Sequence, residues 1–514
     1  MICLLVTTII MWVTSGCSSE PDDRFSKSGQ NPNALNDRSS NKANETRSTS
    51  FPPMEDAAGV SLAESSSPSK NSSLKFPSLI WKRSLEVGSK DDGGRLLGGT
   101  ELRTLQSFDG KLFAANGYWT DRYAQESWLP GAQVFRLDKP VSEGGKWVID
   151  LQLDDRMPNS NLRRFHTISD MKSVRFSTDA SGQRLAKPID ILLVSVWDRS
   201  TGLHVFSRDT SGPSSWQRST IVADTGSSSP WHVRSFALHR DAVTGVDFVF
   251  AGTSGNTRVP RGIYRGAYDP SVPGKIRWSS EQEPWDRVPG PDDRVMSMTV
   301  ANGKLYSTVC GKLYERRDGL QPEWLLRYRH PRDNCPTTPG EWSYRGATTI
   351  DNPDGSQSII TAMEGTSIFG RWDFKETIRG YRELALVPFL SQGLQRPNIL
   401  YTIAAYSGFA EIKNPDGRIF HFAGIEALVG EGQPNTWNGW QRGAWFVARS
   451  EDAEFKLYHI PPDGNEGAMV AVRAMIQSPF ASEPNAVYAG GFDANHVENV
   501  NHNTAWLYRG ELSP

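Results

Sequence analysis

The chain has 514 residues, 56 of them Lys or Arg and 58 Asp or Glu, for a formal net charge of -2. So even a balance gives no general electrostatic reason to expect nucleic acid or an anionic membrane surface as a partner. With 46 Gly and 17 Trp and little helical periodicity, the composition fits an all-β chain built from tight turns and half-buried strands.

The first residues, MICLLVTTIIMWVTSGC, form an apolar run ending in small residues before Cys17. Too short to span a bilayer comfortably, the run reads as an export signal over residues 1–16. The stretch Thr14-Ser15-Gly16-Cys17 resembles the lipobox of bacterial lipoproteins. That resemblance implies lipidation of Cys17, a membrane contact through an N-terminal lipid anchor and, with no Asp directly after the Cys, the outer membrane of the cell envelope. The alternative is an ordinary cleaved secretory signal with an incidental Cys. Residues 17–74 are rich in Ser, Asn, Pro and charge and poor in aliphatics, so they are expected to be a disordered tether.

Residues 75–514 read as one domain. Its clearest stretch runs from Arg294 to His330, where turns at Asn302-Gly303, Cys310-Gly311 and Asp318-Gly319 separate four short strands. A four-stranded meander of this size cannot bury its apolar face alone, so copies are expected. Its third strand carries Gly311 before Leu313-Tyr314. The same device occurs with Gly131 (Val134-Phe135), Gly202 (Val205-Phe206), Gly262 (Ile263-Tyr264), Gly365 (Ile368-Phe369) and Gly443 (Trp445-Phe446), and in reduced form at Leu507-Tyr508. That makes seven units. A turn Asp followed by a Trp on the fourth strand also recurs: Asp138 and Trp147, Asp209 and Trp216, Asp269 and Trp278, Asp318 and Trp324. The seventh unit, Val472 to Gly510, is one strand short. The segment around Trp81 matches the fourth strands of the others and is predicted to pair alongside Thr504 to Gly510.

On these repeats, residues 76–512 resemble the seven-bladed β-propellers. The resemblance implies seven radial sheets around a channel, the last blade closed by an N-terminal strand, and is silent on activity. In such a blade the end of strand two and the exit of strand four share a rim, which is where Cys310 and Cys335 fall. In an exported protein they are predicted to form a disulfide, worth about 3 kcal/mol by loop entropy.

The short turns lie on one rim and the long loops on the other. The long-loop rim collects Trp119, Trp128, Trp197, Trp231, Trp285, Trp342, Trp437 and Trp440; exposed indoles beside carboxylates suit sugar rings, and the bland alternative is that they pack the loops together. Arg103, Arg175, Arg234, Arg294, Arg345 and Arg473 fall near the starts of the first strands. Pointing inward, they would form a funnel for carboxylate, sulfate or phosphate; otherwise each pairs with a loop carboxylate such as Asp121, Asp198 or Asp493. The loop from Gly491 to Asn503 groups Asp493, His496, Glu498 and His502 in no known metal-ligand spacing, so no metal is assigned.

No nucleophile-elbow, zinc-protease, phosphate-loop or dinucleotide motif occurs, and no cofactor is implied. The run Ser207 to Gly212 before Trp216 resembles a degenerate form of the sialidase Asp-box, a structural turn motif. Carboxylates available for glycoside cleavage are Asp121, Asp198, Glu364, Glu431 and Asp493. The expectation is a monomeric binding or scaffold module for a glycan, peptide or envelope protein; the alternative is a hydrolase or lyase acting on an acidic sugar.

Overall fold

The computed structural model describes residues 55–56 and 76–513, apart from 119–125, 158, 200–201, 212–214, 224–230, 256–261, 290–292, 331–342, 366–367, 375–376, 431, 434–435, 438, 462–468 and 494–502. The export signal, Cys17 and nearly all of the expected tether lie outside the described residues. So does Cys335, although Cys310 is disulfide-bonded.

The described chain is all-β. A two-residue strand, β1 (Glu55–Asp56), and β2 (Ser78–Leu85) precede a series of meanders. Unit one holds β3 (Glu101–Phe108), β4 (Lys111–Gly117), β5 (Ala132–Leu137) and β6 (Trp147–Leu153). Unit two holds β7 (Phe165–Thr178), β8 (Arg184–Asp198), β9 (Leu203–Asp209) and β10 (Gln217–Val222). Unit three holds β11 (Trp231–Arg240), β12 (Asp247–Gly255), β13 (Ile263–Tyr268) and β14 (Ile276–Trp278). Unit four holds β15 (Val295–Ala301), β16 (Lys304–Val309), β17 (Lys312–Arg317) and β18 (Glu323–Arg329). Unit five is β19 (Tyr344–Asp351), β20 (Gln357–Met363), β21 (Ile368–Phe374) and β22 (Ile378–Ala385), with β1 pairing in parallel on its outer edge. Unit six splits its first strand into β23 (Tyr401–Ala404) and β24 (Ala410–Lys413), both paired with β25 (Ile419–Leu428). It continues through the short β26 (Thr436–Trp437) and β27 (Trp440–Gln441) to β28 (Ala444–Ser450) and β29 (Phe455–Ile460). Unit seven is β30 (Met469–Gln477), β31 (Ala486–Asp493) and β32 (Ala505–Ser513).

Turn chemistry explains the regular units. At the first turn of unit four Asn302 and Gly303 have φ of 49° and 73°, and Asp109 and Gly110 of unit one have 51° and 68°. Two consecutive positive φ values are what a two-residue hairpin loop needs to match the twist of its strands. Unit seven takes its fourth strand from the other end of the domain: β2 pairs antiparallel with β32, Trp81 opposite Gly510.

The hydrogen-bonded sheets differ from the seven separate ones expected. Among the described residues they number five, because units one to three run together into a sheet of 12 strands. Single residue pairs make the joins: Gly117 with Thr167 and Trp231 with Asp198. At Gly117 a Cβ would stand 2.2 Å from the Thr167 Cα, so only glycine lets the strands meet there.

Apolar packing nevertheless runs from each unit to the next. Phe113 and Val134 of unit one pack with Val194 and Phe206 of unit two; Val205 packs with Phe236; Phe250 with Leu305; Tyr314 and Trp324 join the same cluster. The series continues with Tyr306 and Trp372, Phe369 and Ile425, and Phe446 and Val487. Finally Leu102 and Phe135 of unit one pack with Tyr488 and Leu507 of unit seven.

The recurring Trp stitches the outer strands. Trp147 Nε1 donates to Ser84 Oγ on β2 at 3.2 Å, Trp216 to Asp150 Oδ2 at 2.7 Å, Trp278 to Ser219 Oγ at 3.1 Å and Trp324 to Glu283 Oε2 at 3.0 Å. Each indole therefore reaches back to the preceding unit. One helix, α1 (Leu386–Leu394), was not anticipated. It buries Leu386 and Leu390 and places Pro388 in its first turn, where a missing N–H does no harm.

Candidate functional site

First strands carry β-bulges, and the bulges aim the site. In β3 the register passes from Leu102 opposite Asn116 to Thr104 opposite Ala115, leaving Arg103 without a partner in the ladder. Arg234 in β11 and Arg473 in β30 are skipped in the same way. In β7 and β15 the skipped residues are Ser169 and Met296, and in β19 the irregularity follows Arg345. A bulged residue leaves the pleat and turns its side chain away from the sheet's own faces. In unit six the bulge has grown into the loop between β23 and β24, with Ala405 at φ 49° and Gly408 at φ 110°, and this loop carries Tyr406.

Four guanidinium groups from four different units converge on the Tyr406 ring. Their Cζ atoms lie 4.5 Å (Arg473), 5.0 Å (Arg345), 5.1 Å (Arg103) and 5.8 Å (Arg234) from its centroid, all within cation–π range. Arg103 Nη2 donates to the Tyr406 hydroxyl, and Ser407 Oγ donates to the Arg103 carbonyl at 2.7 Å.

Carboxylates balance most of this charge. Arg473 Nε contacts Glu101 Oε1 at 2.8 Å and its Nη1 contacts Glu426 Oε2 at 2.7 Å. Arg345 pairs with Glu364, which also accepts from the Tyr401 hydroxyl at 2.7 Å. Arg103 Nε stands 3.7 Å from Glu101 Oε2. Burial opposes the Arg473 charge, but Glu426 and Glu101 outweigh it and raise its pKa; burial, with Glu101 and Glu364 adding, raises Glu426 despite Arg473. Arg234 differs. Among the described residues it makes no hydrogen bond or ion pair, and its guanidinium meets only the Tyr406 ring. Burial, and then Arg345, Arg294 and Arg103, hold its pKa well below the ordinary value. An incoming anion would relieve that repulsion.

Asp170 of unit two lies within electrostatic reach of Arg103. Burial pushes its pKa up to about 6, against the Phe236 N–H and the charges of Lys172 and Arg103. Neither Asp170, Tyr406, Glu101 nor Glu426 was anticipated: only Glu101 opens a first strand, while Asp170 lies inside β7, Tyr406 in the loop between β23 and β24, and Glu426 near the end of β25.

The other expected site residues scatter. Arg175 lies far along β7, its side chain 66% exposed and 3.6 Å from Asp190, so it is not part of the cluster. Strand β7 begins at Phe165, ten residues before Arg175. Arg294 is half-buried just before β15 and within electrostatic reach of Arg234. Asp198 is buried and accepts from Arg164 at 2.9 and 2.8 Å. Trp197 stacks on His232 with centroids 4.4 Å apart, Trp285 stacks on Trp324 at 5.5 Å, and Trp440 meets Tyr401 edge-on at 6.3 Å. These rings pack the loops; Trp128 is 49% exposed. Trp119, Asp121, Trp342, Glu431 and His496 lie outside the described residues, as do the side chains of Trp231, Trp437 and Asp493.

No protein-family model and no curated protein matches the chain. Remote likenesses among solved structures include an alpha-L-arabinanase of Penicillium chrysogenum, at 9% identity over 84% of this chain and 98% of that one, TM-score 0.38. A beta-1,3-galactosidase of glycoside hydrolase family 43 matches at 9% identity over 58% of this chain and 98% of its own, TM-score 0.29. A protein of unknown function from Dyadobacter fermentans matches at 11% identity over 84% and 99%, TM-score 0.37.

Proposed function

We propose that residues 75–514 form a seven-bladed β-propeller, exported and lipid-anchored through Cys17 at the outer membrane, that binds an anionic group of a glycan, peptide or envelope partner at the Tyr406 cluster. Apolar packing between consecutive units, and between units seven and one, supports the closed ring. The observation that carries the binding reading is Arg234, a half-buried guanidinium that makes no ion pair among the described residues and shares the Tyr406 ring with three others. Guanidinium offers two parallel donors to a carboxylate, and repulsion from its neighbours makes the site prefer an anion. Titration calorimetry of the full mature protein tests this. Carboxylate ligands should bind, more weakly as salt rises, and Arg234→Ala should weaken them at least tenfold; ligand binding indifferent to both salt and Arg234→Ala would sink the reading.

A second reading, a hydrolase or lyase acting on an acidic sugar, is favoured by one observation. A carboxyl whose pKa lies at about 6 is suited to exchange protons near neutral pH, and Asp170 lies within electrostatic reach of Arg103, a cation that could help hold a substrate carboxylate. Turnover of uronic-acid oligosaccharides lost in Asp170→Asn separates it from simple binding. Binding without turnover removes it.

A further inference from the structure

The first strands of neighbouring units are joined by a recurring contact. Ser235 Oγ accepts the Met298 N–H of the next unit at 2.9 Å, Ser297 Oγ accepts the Ala347 N–H at 3.0 Å, and Thr348 Oγ1 accepts the Phe409 N–H at 3.0 Å. Ser235 and Ser297 each sit one residue past the bulge. In unit two that position is Asp170, whose Oδ2 accepts the Phe236 N–H at 2.8 Å.

A hydroxyl suffices for this contact in the other units. Aspartate brings a second oxygen and a charge that burial disfavours. Apart from the N–H of its own neighbour Met171, no donor among the described residues reaches that oxygen, and no cation lies within 4 Å of the carboxyl. The surplus acceptor is therefore unexplained by packing. Phe236, which it bridges to, is two residues past Arg234 on β11, and two strand residues span about 6.6 Å. The Arg234 guanidinium and the Asp170 carboxyl thus attach to the same stretch of β11, both within electrostatic reach of Arg103, and both residues are half-buried where the ligated Arg103, Arg345 and Arg473 are buried.

We infer that the site takes a sugar acid or similar hydroxy acid, its carboxylate on Arg234 and a neighbouring hydroxyl on the second oxygen of Asp170. This rests on the anion-binding reading above and narrows it. Guanidinium pairs with the carboxylate through parallel donors, and the ligand hydroxyl donates to a charged acceptor, the stronger class of hydrogen bond. Asp170 also repels ligands of higher charge, so inorganic sulfate is the poorer ligand although it is the stronger anion.

The test is calorimetry on the full mature protein with galacturonate, cyclohexanecarboxylate, galactose and sulfate. Galacturonate should bind on the order of tenfold more tightly than cyclohexanecarboxylate, with galactose silent and sulfate weaker than galacturonate. Asp170→Ala should erase the advantage of galacturonate and leave cyclohexanecarboxylate as tight or tighter; Arg234→Ala should abolish both. Asp170→Asn, which can still accept the Phe236 N–H, serves if the Ala variant does not fold. Equal affinities for galacturonate and cyclohexanecarboxylate in the wild type, or an advantage that survives loss of Asp170, overturn the inference and leave the anion site standing. Failure of every anion to bind overturns both.

Discussion

Replacing Asp170 with Asn should stabilise the protein, and only at neutral and alkaline pH. Its carboxyl is raised from 3.8 to about 6, chiefly by burial, while the Phe236 and Met171 N–H groups and the charges of Lys172 and Arg103 pull the other way. A carboxyl raised in the folded state favours folding when protonated: its full contribution is present below about pH 3.8 and is lost as pH rises through about 6. Above that, the ionised wild type is penalised by about 2 pKa units, or about 3 kcal/mol at 1.36 kcal/mol per unit, which Asn avoids. Unfolding entropy of about 2.1 cal/mol/K per residue, over roughly 440 residues, converts this to a rise in Tm of about 3 °C. Asn keeps the acceptor for the Phe236 N–H, so little is lost in exchange. Thermal unfolding of wild type and variant should show the gap at pH 8, and show it shrinking toward zero below pH 4. A variant less stable than wild type at pH 8, or a gap independent of pH, would refute the assignment of Asp170 to a desolvated site.

Two other expectations concern the ends of the chain. A Cβ at Gly510 would lie 2.7 to 2.9 Å from three ring atoms of Trp81, so Gly510→Val should cost about 1–3 kcal/mol in urea unfolding by overpacking, and adding Trp81→Leu should recover part of it; an unchanged midpoint contradicts the β2–β32 pairing. Fatty-acid labelling in cells should mark the protein and vanish in Cys17→Ser. Label retained by the Ser variant removes the anchor.

Much of the architecture was legible because it is written in local chemistry. Asn302-Gly303 and Asp109-Gly110 supply the positive φ values that their hairpins require. The short seventh unit pointed to the segment around Trp81, since an unpaired edge invites a matching strand. The helix at Leu386–Leu394 escaped notice because nine residues with an internal Pro carry too little periodicity to outweigh the strands around them.

The site was only partly legible, for a definite reason. Arginines at the starts of first strands could be seen, but their spacing slips between units, and the slip is the bulge. A bulge is a mismatch between two strands' residue counts, so neither strand announces it alone. Arg175 was sent inward because β7 begins ten residues before it, at Phe165, and the bulge hid Asp170, which the pairing of β7 with β8 places one residue past the skipped Ser169. Tyr406 belongs to a loop between β23 and β24, yet it meets arginines from units one, three, five and seven. The repeated strand and turn were determined by residues adjacent in the chain; which arginines meet, and which of them stays unpaired, was decided by groups as far apart as Arg103 and Arg473, whose distance only the packed strands define.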